Sequence, residues 1–321
     1  MLEVMIDNKN GNIWDIADLV SNVTWKTSRI GKAGSLDFTF VKGGLYQNED
    51  FHIENGDIVR VRKDGMNVFY GYVFKIDSGQ DEDVKVTAYD QLRYLLFNDT
   101  LIFSARTATE IVQMIARKYN LKTGQLDESA YVIPTMAEDN TKLMDMICKA
   151  LDLTLISTGR IYVLFDDFGQ VALRDVTTML LDFSLGEGGL MTDYSFSRSI
   201  DNETYNRIEL VRAGKDPEDR VRGLEDPGNI AKWGRLQLHQ KVDDGLNEAQ
   251  INERLSNLLK LKNREQKTLS IEEIGNVRVR AGCLAPVFIE SLGLSQFMLV
   301  EECVHKFDGD DHTMSLEMKV F

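Results

Sequence analysis

After Lys267 the chain is written almost wholly in strand patterns, and this run most narrows what it can fold into. Leu269–Ile274, Val277–Ala281, Pro286–Glu290, Phe297–Phe307 and Thr313–Phe321 follow one another with short connections, the rhythm of an all-β unit. One helix precedes them. Asn247 stands where an N-cap belongs, Gln250 lies three residues on, and Leu246 and Ile251 are placed to close a hydrophobic staple. Ile251, Leu255, Leu258 and Leu259 mark one apolar stripe, and Lys260, Lys262 and Arg264 suit the negative end of the helix dipole. The pattern predicts a helix over 247–264. So much β-structure without a catalytic constellation points to a building block, not an enzyme.

The first hundred residues also read as strands. Leu2, Val4 and Ile6 alternate, as do Leu36, Phe38 and Phe40, and Val84, Val86 and Ala88 continue the pattern. Ile58–Arg62 and Val68–Ile76 flank Lys63-Asp64-Gly65-Met66, a hairpin turn of the Asp-Gly kind. In the second of these strands Val68, Tyr70, Tyr72, Phe74 and Ile76 share one face, yet Phe69 and Val73 are apolar on the other. A strand apolar on both faces is buried on both, by its own domain or by a neighbouring subunit. Phe69 and Val73 are therefore candidate interface residues, and residues 1–100 are expected to form a small β-barrel.

The stretch from 101 to 190 differs. Thr107 with Glu110 matches a capping box, and Ile111, Ile115, Ala116 and Tyr119 form the stripe of a short helix. A second helix is expected near Thr141–Leu151. Short strands are expected at Leu153–Ser157, Arg160–Phe165 and Gln170–Asp175, turning at Thr158-Gly159 and at Asp166–Gly169. This is a compact α+β insertion of helices and hairpins. From 191 to 321 strand character returns with Tyr205–Arg212. Residues 213–232, rich in Pro, Gly and charge, read as a long exposed loop, and Trp233–Gln240 as a strand. The expected fold is mainly β, with two small β-barrel domains (1–100 and 191–321) around the insertion (101–190).

At 321 residues with 43% apolar and 27% charged content, the chain is sized for roughly two domains with ordinary globular composition. No stretch reaches the ~20 apolar residues of a membrane helix, and MLEVMIDNKNGN lacks the regions of a signal peptide. Synthesis in a cytoplasm without membrane insertion is expected. Cys148, Cys283 and Cys303 form no CxxC pair and read as buried free thiols. The net charge of −14 argues against specific nucleic-acid binding over a broad surface, while leaving room for an acidic channel that repels phosphate.

Polar clusters read as structure. His305, Asp308, Asp310, Asp311 and His312 have the residue types of a metal site, but Asp308-Gly309-Asp310-Asp311 has the composition of a hairpin turn. Glu301 and Glu302 are adjacent on a strand and point to opposite faces. Gly31–Ser35 and Gly186–Gly189 lack the Lys-Ser/Thr of a P-loop, and none of the four histidines sits beside a nucleophile elbow. No catalytic, cofactor or metal residue is assigned. Arg278 and Arg280 share a face of the expected strand Val277–Ala281, and contact with an acidic neighbour is the sharper alternative to a solvated face.

Tyr205–Arg212, Gly234–Asp243, the helix after Asn247 and Glu301–Phe307 together resemble the XkdQ/YqbQ type of baseplate hub protein from contractile phage tails, defective prophages and phage-tail-like bacteriocins. The similarity runs along nearly the whole chain. Leu143–Asp167 is similar to the hub part of type VI secretion spike proteins. The resemblance implies a homotrimer, with two β-barrels per chain making a six-fold-like ring between the tail tube protein and the central spike protein. Other baseplate proteins would be neighbours, and tape-measure protein or DNA would pass through the lumen. Because the chain ends at Phe321 directly after a strand pattern, spike and any cell-wall enzyme are expected on separate chains. A tail-associated cell-wall hydrolase and a secretion-system spike hub are the rival readings.

Overall fold

The computed structural model describes residues 1–43, 48, 50–80, 82–187, 190–212, 221–242 and 246–320. Residues 188–189 of the glycine run, 213–220 of the expected loop and Phe321 lie outside them.

The first and last thirds of the chain form a single 13-stranded sheet. Its hydrogen-bonded path begins at Met191–Ser199 and runs through Gln266–Ile274, Asp311–Val320 and Leu294–Asp308. It then crosses to Val20–Ser28, Ser35–Val41, Asp83–Tyr89, Met66–Ser78, Ile58–Lys63, Leu2–Asp7 and Ile13–Asp15. Leu284–Ile289 pairs with Leu294–Asp308 off this path and carries Leu185–Gly186 beside it. The crossing point is the antiparallel ladder of Val20–Ser28 on Leu294–Asp308, with Thr27 opposite Cys303 and Trp25 opposite His305. Mainly β is the fold observed. The path is open at both ends among the described residues, so closure into two separate barrels is not part of its hydrogen bonding.

Two apolar cores lie against this sheet. One gathers Val4, Ile6, Leu36, Phe38, Val59, Phe69 and Val73 with Trp25 and Phe307. The other gathers Leu185, Leu269, Ile271, Val300 and Leu316 with Cys283 and Cys303. The Asp-Gly turn forms as its sequence demands. Asp64 and Gly65 both take positive φ, 52° and 77°, the mirror-image turn that matches strand twist.

The insertion has its own core around Ile111, Ile115, Leu143, Met146 and Leu173. Helix α1 (Ala108–Lys118) starts at the expected Thr107–Glu110 capping box. Helix α2 spans Leu143–Thr158, so the strand expected at Leu153–Ser157 is helical instead. Leu155 and Ile156 pack on two further clusters, and Thr154 Oγ1 donates to Ala150 O at 2.9 Å. Tertiary packing overrides the local β preference. Gly159, expected at a hairpin turn, is the left-handed C-cap of this helix. Thr123–Leu126, Asn98–Thr107 and Val132–Lys142 are strands that the apolar pattern does not announce.

The loop expected at 213–232 is corrected over 221–232. Val221–Glu225 is a strand beside Arg207–Arg212, and helix α3 (Pro227–Trp233) follows, capped by Asp226 with proline in its first turn. Trp233 thus ends a helix, and the next strand is Gln237–Val242. Helix α4 (Glu248–Lys262) has the reciprocal Asn247–Gln250 capping box, and Leu246 and Ile251 enter one cluster with Leu255 and Leu258. Val277–Ala281 is no strand. Turn bonds from Val279 N to Asn276 O and from Cys283 N to Arg280 O hold it as a loop.

Gly71 lets Met66–Ser78 run close against Tyr89 and the Phe69 ring. A Cβ there would lie 2.4 Å from Tyr89 O and 2.5 Å from the tip of the Phe69 ring, and the backbone oxygen cannot yield. Gly71→Ala is expected to destabilise by about 1–3 kcal/mol, as overpacking does. Gly79→Ala, where a Cβ meets nothing within 4 Å, serves as the neutral comparison in thermal melts. Equal melting temperatures for the two variants would contradict this packing account.

Candidate functional site

Met66–Ser78 separates two environments. Phe69 and Val73 point into the first core, 3% and 2% exposed. Tyr70, Tyr72 and Phe74 point the other way and are half-buried, because Tyr94 and Phe168 cover them only in part. Tyr70 meets Tyr72 edge-on at 6.1 Å and Phe168 at 5.7 Å. Tyr72 and Phe74 each reach Tyr94 at 5.7 Å. Tyr94 belongs to the short 3-10 turn Gln91–Leu95, capped by Asp90. Beyond it Phe97 packs edge-on against Tyr119 at 4.8 Å. Between these rings lies an open cleft of about 420 Å³, also lined by Gln91, Asn120, Leu121 and Lys122. Tyr94 and Phe97 remain 40% and 42% exposed. Tyrosine presents apolar area, a polar tip and few rotatable bonds, so such a surface suits contact with another macromolecule.

A polar knot sits beneath the cleft where first sheet, insertion and C-terminal loop meet. Asp90 is buried and accepts from Gly34 N at 2.8 Å and Leu92 N at 2.9 Å. Asp166 accepts from Gly169 N at 2.7 Å and Gln91 Nε2 at 2.8 Å. Arg280 Nη1 donates to Asp166 O at 3.2 Å while its guanidinium lies 4.0 Å from the Phe165 ring centre. Its Nε is buried without a partner. Burial pushes Asp166 up to about 6, against the pull of the Gly169 and Gln91 hydrogen bonds and of Arg280. Burial, with the charge of Asp166, raises Asp90 well above the carboxylate range. Two buried carboxyls with one cation retain a proton more readily than either would in water. In the Gly31–Ser35 loop the Gly34 amide holds the internal carboxyl of Asp90.

A second buried polar group lies at the sheet crossing. His305 is buried, stacks on Trp25 at 4.9 Å and shares a 2.9 Å hydrogen bond between its Nδ1 and His312 Nε2. Its Nε2 lies 2.9 Å from Val279 O. Burial lowers both histidines to about 4. Asp308–Asp311 forms the expected turn, with Gly309 at φ 57°. Among the described residues no group of three or more His, Cys, Asp or Glu is placed to hold a metal ion. All three cysteines are free.

The four residues singled out as interface candidates do not come together. Phe69 and Val73 are covered by their own core, which leaves them no surface to offer a neighbour. Arg278 pairs with Asp182 at 2.6 Å and lies over Phe183. Arg280 is drawn inward, because its loop is not the strand that would have placed both arginines on one face. Tyr94, Phe97 and Tyr119 were missed. Only the two-sided apolar character of Val68–Ile76 signalled them, by requiring a cover on the second face.

Residues 23–319 match the family described as YqbQ-like. The chain belongs to the YqbQ-like family. It is 32% identical over 271 residues to uncharacterized protein YqbQ of Bacillus subtilis (strain 168), covering 84% of this chain and 82% of that one. Identity to phage-like element PBSX protein XkdQ of the same strain is 30% over 271 residues, with the same coverage of both. Among solved structures, the 43 kDa tail protein of prophage MuSo2 from Shewanella oneidensis matches with a TM-score of 0.72 at 15% identity, over 98% of both chains. A component of the E. coli type VI secretion system matches with a TM-score of 0.58 at 10% identity, over 98% of this chain and 76% of that one. At these identities the structural likenesses speak for the fold of this YqbQ-like chain, which is that of phage tail proteins.

The buried groups carry a pH signature. Folded Asp166 keeps a proton that the unfolded chain releases near pH 4, so its contribution to stability falls as pH rises from about 4 to about 6. The histidines act oppositely, and their contribution is lost as pH falls from about 6.5 to about 4. The difference between Asp166→Asn and the parent reports the Asp166 effect together with the relief of Asp90, which acts in the same direction. It should shift in the variant's favour by on the order of 1–3 kcal/mol between pH 4 and pH 7.5. Urea unfolding at both pH values measures it, and a pH-independent difference would contradict the assignment.

Proposed function

We propose that this chain is a non-enzymatic structural subunit of a phage-type baseplate, the hub that joins the tail tube to the central spike in a phage tail or phage-tail-like bacteriocin. The observation carrying this reading is the full-length agreement of its fold with a prophage tail protein. Its relationship to XkdQ of the phage-like element PBSX supports it. In this proposal three chains form a ring. Residues 1–100 and 191–321 each contribute one barrel-like segment of the curved sheet, and residues 101–190 stand as the insertion between them. Two similar segments in each of three chains present a six-fold-like surface on which a tube starts, an arrangement that closed cyclic symmetry permits.

The hub would be assembled in the bacterial cytoplasm, with the tube protein, the spike and neighbouring baseplate proteins as partners. Tape-measure protein or DNA would pass through its lumen. The aromatic cleft at Tyr70, Tyr72, Tyr94 and Tyr119 is the surface we assign to one of these protein contacts. Likeness to the E. coli type VI component favours one second reading, a hub for a secretion-system spike, in which the same ring carries a different spike.

The test is the mass in solution of the purified protein, alone and mixed with the spike protein from its gene cluster. Three copies per particle are expected, with or without the spike. A monomer that ignores the spike would overturn the hub reading. In the same assay Tyr94→Ala with Phe97→Ala should leave the fold intact and weaken assembly by at least tenfold. Unchanged assembly would remove the cleft from the interface.

A further inference from the structure

On this acidic chain one cleft is basic. The outer face of the central sheet at its crossing presents Lys26 and Ser28 of Val20–Ser28 beside Val304 and Glu302 of Leu294–Asp308. Ser35 and Tyr89 continue the row across the next two strands. The loop Gly31–Ala33, the 3-10 turn through Arg93 and Leu96, and Lys142 wall the row into a cleft of about 520 Å³. Four cations line it, Lys26, Lys32, Arg93 and Lys142, against a single carboxylate, Glu302. Only Lys32 is neutralised, by Glu302 at 2.6 Å.

Lys26, Arg93 and Lys142 have no ion pair among the described residues, although the chain carries 51 acidic residues to 37 basic. Arg93 is held over Phe74 and Tyr89 at 5.5 and 5.8 Å, so its position is set before anything binds. Asp37, next along the row, is already engaged by Thr87 Oγ1 at 2.7 Å. Lys142 is the N-cap of α2 and supplies no side-chain cap, so the positive end of a 16-residue helix stands in the same wall.

We infer that this cleft is a docking site for a carboxylate-rich segment of another protein chain. Charge complementarity identifies the partner's chemistry. The unpaired Lys26, Arg93 and Lys142, with the hydroxyls of Ser28 and Ser35 beside them, match several carboxylates at hydrogen-bonding range. A nucleic acid fits poorly. The net charge of −14 opposes a long polyanion, and Tyr89 is the cleft's one aromatic ring, its face taken by Arg93, so successive bases have no stacking platforms. The docked segment would lie across the ladder that joins the chain's first and last thirds and would clamp it. This inference stands independently of whether the chain forms a trimer.

The test measures binding of a fluorescently labelled hexaglutamate peptide to the full chain at low salt, beside a labelled dT12 oligonucleotide. Saturable peptide binding is expected. It should weaken at least tenfold in Lys26→Glu with Lys142→Glu, weaken with added salt, and be unchanged in Lys241→Glu with Lys319→Glu, an equal charge change elsewhere. All four of these lysines are exposed, and circular dichroism checks that the variants fold. Lys26→Gln with Lys142→Gln, which adds no repulsion, should weaken binding in the same direction. No peptide binding, equal loss in both Glu pairs, or preference for the oligonucleotide would each overturn the inference. A hub that assembles normally while failing this assay would leave the proposed function standing and remove only the cleft's role.

Discussion

The ladder between Val20–Ser28 and Leu294–Asp308 is the interaction on which the rest of the molecule depends. It pairs Thr27 with Cys303, joining segments from opposite ends of the chain, so its loop-closure entropy must be met by contacts formed late. Those contacts are specific. His305 is stacked on Trp25 and bonded to His312, Ala281 N donates to Thr27 Oγ1 at 3.0 Å, and Arg29 pairs with Glu301 at 2.9 Å. Without this ladder the chain would hold two separate sheets. With it, the insertion is held at both ends and the loop carrying Arg280 is pressed against Asp166. The aromatic cleft and the basic cleft both inherit their shape from that arrangement.

What could be read from the residues follows from how far each determinant reaches. The Asp64–Gly65 turn and the Thr107 and Asn247 caps are decided within four residues, and the structure has them where the pattern put them. Leu153–Ser157 shows the opposite case. Its alternating apolar residues suit a strand, yet helix α2 runs through them because Leu155 and Ile156 each find a different core. Val277–Ala281 fails likewise: its alternation is real, but Val279 and Arg280 both turn inward through local turn bonds. The candidate sites followed the same rule. Val68–Ile76 announced that both its faces needed cover. Only the folded chain shows that Phe69 and Val73 take the domain's own core while Tyr70 and Tyr72 take the partial cover of Tyr94.

The molecule concentrates its chemistry in support of shape. Asp90, Asp166, Arg280 and His305 are the kinds of groups that elsewhere do catalysis, and each is engaged in holding segments together at the junction. Buried polar networks of this kind fix one packing among several apolar alternatives when their hydrogen bonds are met. The hub role proposed for this chain would gain from such rigidity, since little order would have to be imposed on it at assembly.

Cryo-electron microscopy of the tail tip tests the central claim most directly, by locating this chain and counting its copies. The account predicts three copies in a closed ring directly between the first tube ring and the spike, with residues 1–100 and 191–321 alternating around the axis. A chain found at the periphery of the baseplate, or on the axis in any number other than three, would contradict it.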